Sequence, residues 1–185
     1  MTRTITRSYD EIADAETAVS RLEAAGVQSE DISIVGYHPE QLEDDARHGG
    51  EVGGVVGGGA GLLGSLAALP IPGVGPALAA GWIFGSMAVG AAAGVAAGSL
   101  IGAMTSAGLN DDEAHYFAET IRRGGAVVSV RTSDSHAAVI EKIMDGAGSV
   151  DAETRRGEYE REGWKRFDES AGPYRTPDDL SGVIS

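Results

Sequence analysis

The sequence contains no cysteine. Disulfides, thiolate nucleophiles, zinc knuckles and iron–sulfur clusters are thereby excluded. Aromatic residues make up only 5% of the 185 residues, so the core must be largely aliphatic. Basic residues are few: 14 Lys and Arg stand against 28 Asp and Glu, for a net charge of −14. So acidic a chain lacks the basic surface that phosphate backbones require, and no nucleic-acid partner is expected. The first residues, Met1-Thr-Arg-Thr-Ile-Thr-Arg7, run into Asp10-Glu11 without the apolar core of a secretory signal. Export is not expected, and the expected location is the cytoplasmic side.

Charge is missing altogether from Val52 to Asn110, a run of 59 residues that also lacks histidine and holds 16 of the 28 glycines. Average chains are about a quarter charged, so this run divides the sequence. Residues 1–51 read as the first half of an α/β domain, 52–109 as an uncharged insert, 110–152 as the second half, and 153–185 as a polar tail.

The two flanking parts carry ordinary signals. Residues 2–8 are rich in β-branched side chains and predict a strand. Ser8 or Asp10 is placed to cap a helix whose apolar face is Ile12, Ala15, Val19 and Leu22, ended by Gly26. Ile32 to Tyr37 predicts a second strand. After the insert, Asn110-Asp-Asp-Glu113 has the form of a capping box, and Ala114, Phe117, Ala118 and Ile121 give the next apolar face. Gly124-Gly125 stops that helix, and Ala126 to Arg131 predicts a third strand. Ser133 or Asp134 then caps a helix with Val139, Ile140, Ile143 and Met144 inward, and residues 148–151 suit a short last strand. With the insert removed, the order resembles a split β-α-β unit. The expected fold is α+β and ferredoxin-like: a four-stranded antiparallel sheet with helices on one face. A small doubly wound sheet is the alternative.

The uncharged run predicts a glycine-zipper helical hairpin. Pro70, Pro72, Gly73, Gly75 and Pro76 form a breaker cluster and mark its turn. Before it, Gly53, Gly57, Gly61 and Ser65 lie four apart. After it, Ser86, Gly90, Gly94, Gly98, Gly102 and Ser106 do the same. On a helix this spacing makes a face without side chains, along which a second backbone can approach. Glycine costs about 1 kcal/mol against alanine in a helix interior, so such a helix needs compensation. Three sources are open: membrane lipid, packing against copies of the chain, or packing on its own domain. Residues 77–109 are long enough to span a bilayer and Trp82 suits an interface, but Glu51 and Asp111 to Glu113 flank the run where basic residues would be expected. The hairpin is therefore expected to associate with membrane lipid at the cytoplasmic side or to drive self-assembly with copies of the chain, as a homo-oligomer.

No catalytic constellation emerges. Gly59-Ala-Gly61-Leu-Leu-Gly64 matches a dinucleotide-binding spacing, but neither the preceding strand nor the following acid is present. His38, His48, His115 and His136 show no metal-ligand spacing. No serine sits in a nucleophile elbow. Arg122-Arg123 at a helix C-terminus reads as a dipole contact, with an anion site as the sharper alternative. In the tail, residues 153–166 suit a helix, with Trp164 packing onto the domain. The chain therefore reads as non-enzymatic, without cofactor or metal. The second reading is a soluble ligand-binding or regulatory module.

The order of these features resembles the bacterial general stress proteins with a heat-induced YflT-type domain. The resemblance rests on Tyr9-Asp10 with Asp14-Ala-Glu16, Val19 and Leu22, on Asp31-Ile-Ser-Ile-Val35, and on Ile71-Pro-Gly-Val-Gly-Pro76 within the glycine-rich run. It extends to His115-Tyr-Phe-Ala-Glu119, Arg123-Gly-Gly-Ala-Val-Val-Ser-Val130, Gly163-Trp164 and Ala171-Gly-Pro-Tyr174. It implies a stress-associated, non-enzymatic protein and supplies no catalytic residues.

Overall fold

The computed structural model describes residues 2–37, 61–71, 73–84, 100–172 and 174. Among them are five strands: β1 (Thr2–Tyr9), β2 (Ile32–Gly36), β3 (Ala67–Ile71), β4 (Gly75–Gly81) and β5 (Ala126–Ser133). Five helices accompany them: α1 (Ile12–Ala24), α2 (Leu100–Ser106), α3 (Asp111–Arg122), α4 (Ala137–Asp145) and α5 (Ala152–Arg161). The fold is α+β.

The strands form one antiparallel sheet in the order β1-β5-β2-β4-β3. β5 lies between β1 and β2, pairing Tyr9 with Ala126 on one side and Ile32 with Val130 on the other. β1 and β2 therefore run parallel to each other, joined by α1. Residues 148–151 supply one antiparallel bridge, Ser8 to Val150, in place of the expected strand.

Two expectations are corrected. The insert does not form a helical hairpin across 67–81, where a β-hairpin adds β4 and then β3 to the sheet. Ala77 and Ala79 point into one core and Leu78 and Ala80 into the other, an alternation that a strand provides and a helix does not. The prolines mark the turn in either hairpin, and the sheet tolerates them. In the sheet Pro70 lies on the outer strand, and Pro76 lies beyond the β2–β4 ladder, which ends at Gly36 and Leu78. The turn is where the breaker cluster places it, with Val74 N–H bonded to Ile71 C=O at 3.0 Å. The second correction concerns the layers: helices cover both faces of the sheet.

The first face packs Ile5, Ile32, Ile34, Leu78, Ala80, Val128 and Val130 against α1 and α4. The expected α1 stripe of Ile12, Ala15, Val19 and Leu22 is buried there. From α4, Ala137, Ile140 and Met144 are buried, but Val139 is 57% exposed, on the far side of a nine-residue helix. The second face packs Val35, Ala77, Ala79 and Val127 against α2, α3, Tyr159 of α5 and Phe167. β4 thus sends alternate residues into two cores, which is why its sequence shows an unbroken apolar run.

Helix starts follow side-chain chemistry. Asn110 and Glu113 form the expected capping box on α3. α1 starts instead at Glu11 without a side-chain cap, because Ser8 bonds Tyr116 and Asp10 pairs with Arg155. Ser133 does not cap α4; its Oγ lies 2.9 Å from His136 Nδ1.

Candidate functional site

The glycine-rich run enters and leaves the second core at two buried anchors. Ile83 and Phe84 lie just after β4, and Leu100 and Met104 lie on α2; all four are in one cluster with α3. Gly81 makes the entry possible. Its φ of 97° suits glycine, and a Cβ there would run into the backbone of Ile32 and Ser33. The Ile83 N–H donates to Ser33 Oγ at 3.0 Å. Arg131 stacks 4.5 Å over the Trp82 ring and pairs with Asp31 at 3.0 Å, closing the entry from outside.

On α2, Leu100 and Met104 are buried, whereas Gly102 and Ser106 are exposed on the opposite side. Those two are the last members of the four-residue series. Gly61 and Ser65 are also exposed, but they belong to a single 3-10 turn, Leu62–Ser65, and its flank. Glu23 holds that turn by accepting the Leu62 N–H at 2.7 Å. The series is therefore not α-helical at Gly61 and Ser65. Gly53, Gly57, Ser86, Gly90, Gly94, Gly98 and Pro72 lie outside the described residues, as do His38, His48 and Gly59.

The turn of the β-hairpin is clamped by the tail. Gly73 has a φ of 78°, and a Cβ there would come within 2.6 Å of Glu169 Cα and 2.9 Å of the Phe167 ring. Gly75 shares the positive φ, at 100°. The tail is held in turn by Trp164, whose N–H bonds Tyr159 C=O at 3.0 Å, and by Arg166, which bonds Asp111 at 2.7 Å and lies against His115. The expected tail helix spans Ala152–Arg161, and Trp164 packs against the second core as expected. Burial and the Arg166 charge depress the His115 pKa.

The Arg122-Arg123 pair lies beside a cleft of about 220 Å³ lined by Arg123, Arg155, Tyr159 and Tyr174. Glu119, only 1% exposed, accepts two bonds from Arg122, at 2.8 and 2.6 Å, and one from Arg123, at 2.7 Å. Arg123 also pairs with Glu162 and stacks on Tyr159 at 4.2 Å and Tyr174 at 4.5 Å. Burial alone would lower the Arg123 pKa, but its bonds to Glu162 and Glu119 outweigh that and raise it. Arg155 is taken up by Asp10 at 2.7 Å and Glu158 at 3.0 Å. Each cation around the cleft already meets a carboxylate, so the cleft is a poor anion receptor. Glu119 was invisible as a core residue in the sequence, because a glutamate followed by two arginines reads as a solvated helix end.

The second face also buries hydroxyls. Ser8 Oγ lies 2.9 Å from Tyr116 Oη, and Thr6 Oγ1 lies 2.9 Å from Ser129 Oγ. Burial raises the Tyr116 pKa against the opposing bonds from Ser8 and Thr120. Among the described residues no group of three or more His, Asp or Glu could hold a metal ion. Comparison of the chain with known protein families, characterised proteins and solved structures finds no match.

Proposed function

We propose that the chain is a non-enzymatic assembly module in which an acidic α+β domain presents a glycine-rich segment to copies of itself. The observation that carries this reading is the two-sidedness of α2: Leu100 and Met104 anchor it in the core while Gly102 and Ser106 face outward. In sequence these two continue the register of Ser86, Gly90, Gly94 and Gly98. A face of small residues lets a second backbone approach closely. Self-association is favoured over spanning a bilayer. Phe84 and Leu100 are both buried, which leaves residues 85–99 between them. A bilayer core of about 30 Å needs about 20 apolar residues as a helix. Among the described residues no helix is long and apolar enough to cross a membrane.

The core of this module is read as ferredoxin-like. Supporting that, Val150, β1, β5 and β2 follow one another in space, with β1 and β2 parallel and β5 antiparallel between them. The β3–β4 hairpin would then be an addition at the β2 edge. The sequence resemblance to general stress proteins with a YflT-type domain fits a binding rather than a chemical role, on the cytoplasmic side.

A second reading, a soluble regulatory module with the hairpin packed on its own domain, is favoured by the union of β4 with β2. Fractionation of the full chain without detergent separates the readings. The assembly reading expects a soluble species heavier than the 18.9 kDa chain. A soluble monomer would favour the second reading. Pelleting with membranes through carbonate, with release only by detergent, would contradict both.

A further inference from the structure

Among the described residues, β1 has a strand partner, β5, along one side only. On its other side, Val150 donates its N–H to Ser8 C=O at 2.8 Å, and this is the single bridge there among the described residues. In an antiparallel strand the backbone groups point alternately to the two sides. The Ser8 contact therefore sets the phase: Thr2, Thr4 and Thr6 aim their N–H and C=O groups away from β5. Arg7 gives the same phase independently, since its Nη1 donates to Thr6 C=O at 3.2 Å. Two adjoining hollows of about 430 and 210 Å³ share Thr6, Arg7 and Phe117 and run along this edge.

We infer that this edge pairs antiparallel with β1 of a second copy, about a two-fold axis at Thr4. Three features select that occupant and that register. The outward residues are all threonine, so centring on Thr4 sets Thr4 against Thr4 and Thr2 against Thr6, uncharged β-branched neighbours that suit a sheet, while the Thr4 and Thr6 hydroxyls keep their bonds to Ala107 C=O at 2.8 Å and Ser129 Oγ at 2.9 Å. The paired stretch ends before Ser8, whose outward carbonyl Val150 already occupies. Charge is also compatible. Arg3 is paired with Glu141 and Arg7 with Asp145 at 2.7 Å, and this register sets Arg3 against Ile5 rather than against Arg7. Centring on Ile5 would instead oppose Arg3 to Arg7 and bring Thr2 against the blocked Ser8. Pairing requires only that Arg7 release Thr6 C=O, after which the sheet runs continuously through both copies.

This interface does not depend on the glycine-rich segment, and the test keeps the two apart. The chain has no cysteine, so a single introduced thiol is unambiguous. Directly opposed residues in a bonded antiparallel pair have Cα atoms about 5.5 Å apart, within disulfide range. Thr4→Cys should therefore give a covalent dimer on mild oxidation, whereas Thr6→Cys, opposed to Thr2, should stay monomeric on denaturing gels. As an independent arm, Thr4→Pro removes an outward N–H and should halve the sedimenting mass while the circular dichroism is retained. The Thr4→Cys link should persist when Gly94 and Gly98 are replaced by leucine. The inference is overturned if Thr4→Cys stays monomeric, if Thr6→Cys links equally well, or if the link vanishes in the leucine background. It is likewise overturned if a folded Thr4→Pro chain keeps the parental mass. A larger assembly surviving every β1 change would leave the glycine-segment reading standing alone.

Discussion

The two faces of the sheet are built differently. The first is an aliphatic layer: Ile5, Ile32, Ile34, Val128 and Val130 meet the stripes of α1 and the inner side of α4. The second mixes chemistries. Val35, Ala77 and Val127 share it with Ser8, Ser33 and Ser129, with Tyr116, and with the buried Glu119 on α3. On the second face Ile83, Phe84, Leu100 and Met104 of the glycine-rich run, together with the tail, pack on α3 and β4, whereas the first face receives from that run the Leu62–Ser65 turn. The first face holds the domain together through shape and apolar area. The second holds segments from distant parts of the chain through hydroxyl bonds, stacked arginines and one neutralised carboxylate, and it is where the proposed function resides.

This contrast is best sharpened by substitutions on either face. Leu22→Ala on the first face should have the largest effect, about 3–5 kcal/mol, because the side chain is fully buried and its removal costs both transfer energy and a cavity. Urea unfolding followed by circular dichroism checks it, and a loss below about 1 kcal/mol would show a looser first core. Glu119→Ala on the second face should cost about 3 kcal/mol, since Arg122 and Arg123 would lose their shared partner. The same replacement should loosen the tail, read as faster proteolysis after Arg161 or Lys165. Equal tail protection in the variant would separate Glu119 from tail docking. Ser8→Ala should cost about 1–2 kcal/mol by leaving Tyr116 Oη with one partner fewer in a buried position. Ser8→Thr should restore most of that loss if the hydroxyl is what matters.

The smallest effect concerns pH. His115 has a depressed folded-state pKa, caused first by burial and then by Arg166, while Asp111, Asp112 and Glu169 pull the other way. Its contribution to stability is complete above the usual histidine value of about 6.5 and is lost as pH falls through the depressed value. Folding stability should therefore decline on acidification below about pH 6.5, and His115→Gln should flatten that part of the profile. A profile unchanged by the replacement would exclude His115 as its source.

The same contrast explains what could be read in advance. α1 was legible because Ile12, Ala15, Val19 and Leu22 recur at helical spacing over one buried face, and α3 because its capping box is local. β5 was legible from its β-branched run. β3 and β4 were not. Ala77, Leu78, Ala79 and Ala80 alternate between two cores, so apolarity is continuous and carries no strand period, and alanine favours the helical reading. The breaker prolines placed the turn correctly and left the type of hairpin open. Ser8 was assigned to a cap because its actual partner, Tyr116, lies 108 residues away. Glu119 was missed for a similar reason: Glu162 and Tyr159, which help to hold Arg123 beside it, arrive from beyond β5. On the first face, by contrast, most errors were single positions, such as Val139.

The proposed role turns on whether the small-residue series of the insert joins chains. The most direct measurement is sedimentation velocity, without detergent, of the full chain beside its Gly94→Leu, Gly98→Leu double variant. The parent should sediment as a discrete species heavier than two chains. The variant should fall to a dimer or monomer, with both cores intact by near-ultraviolet circular dichroism. Parent and variant sedimenting at the same mass would contradict that role.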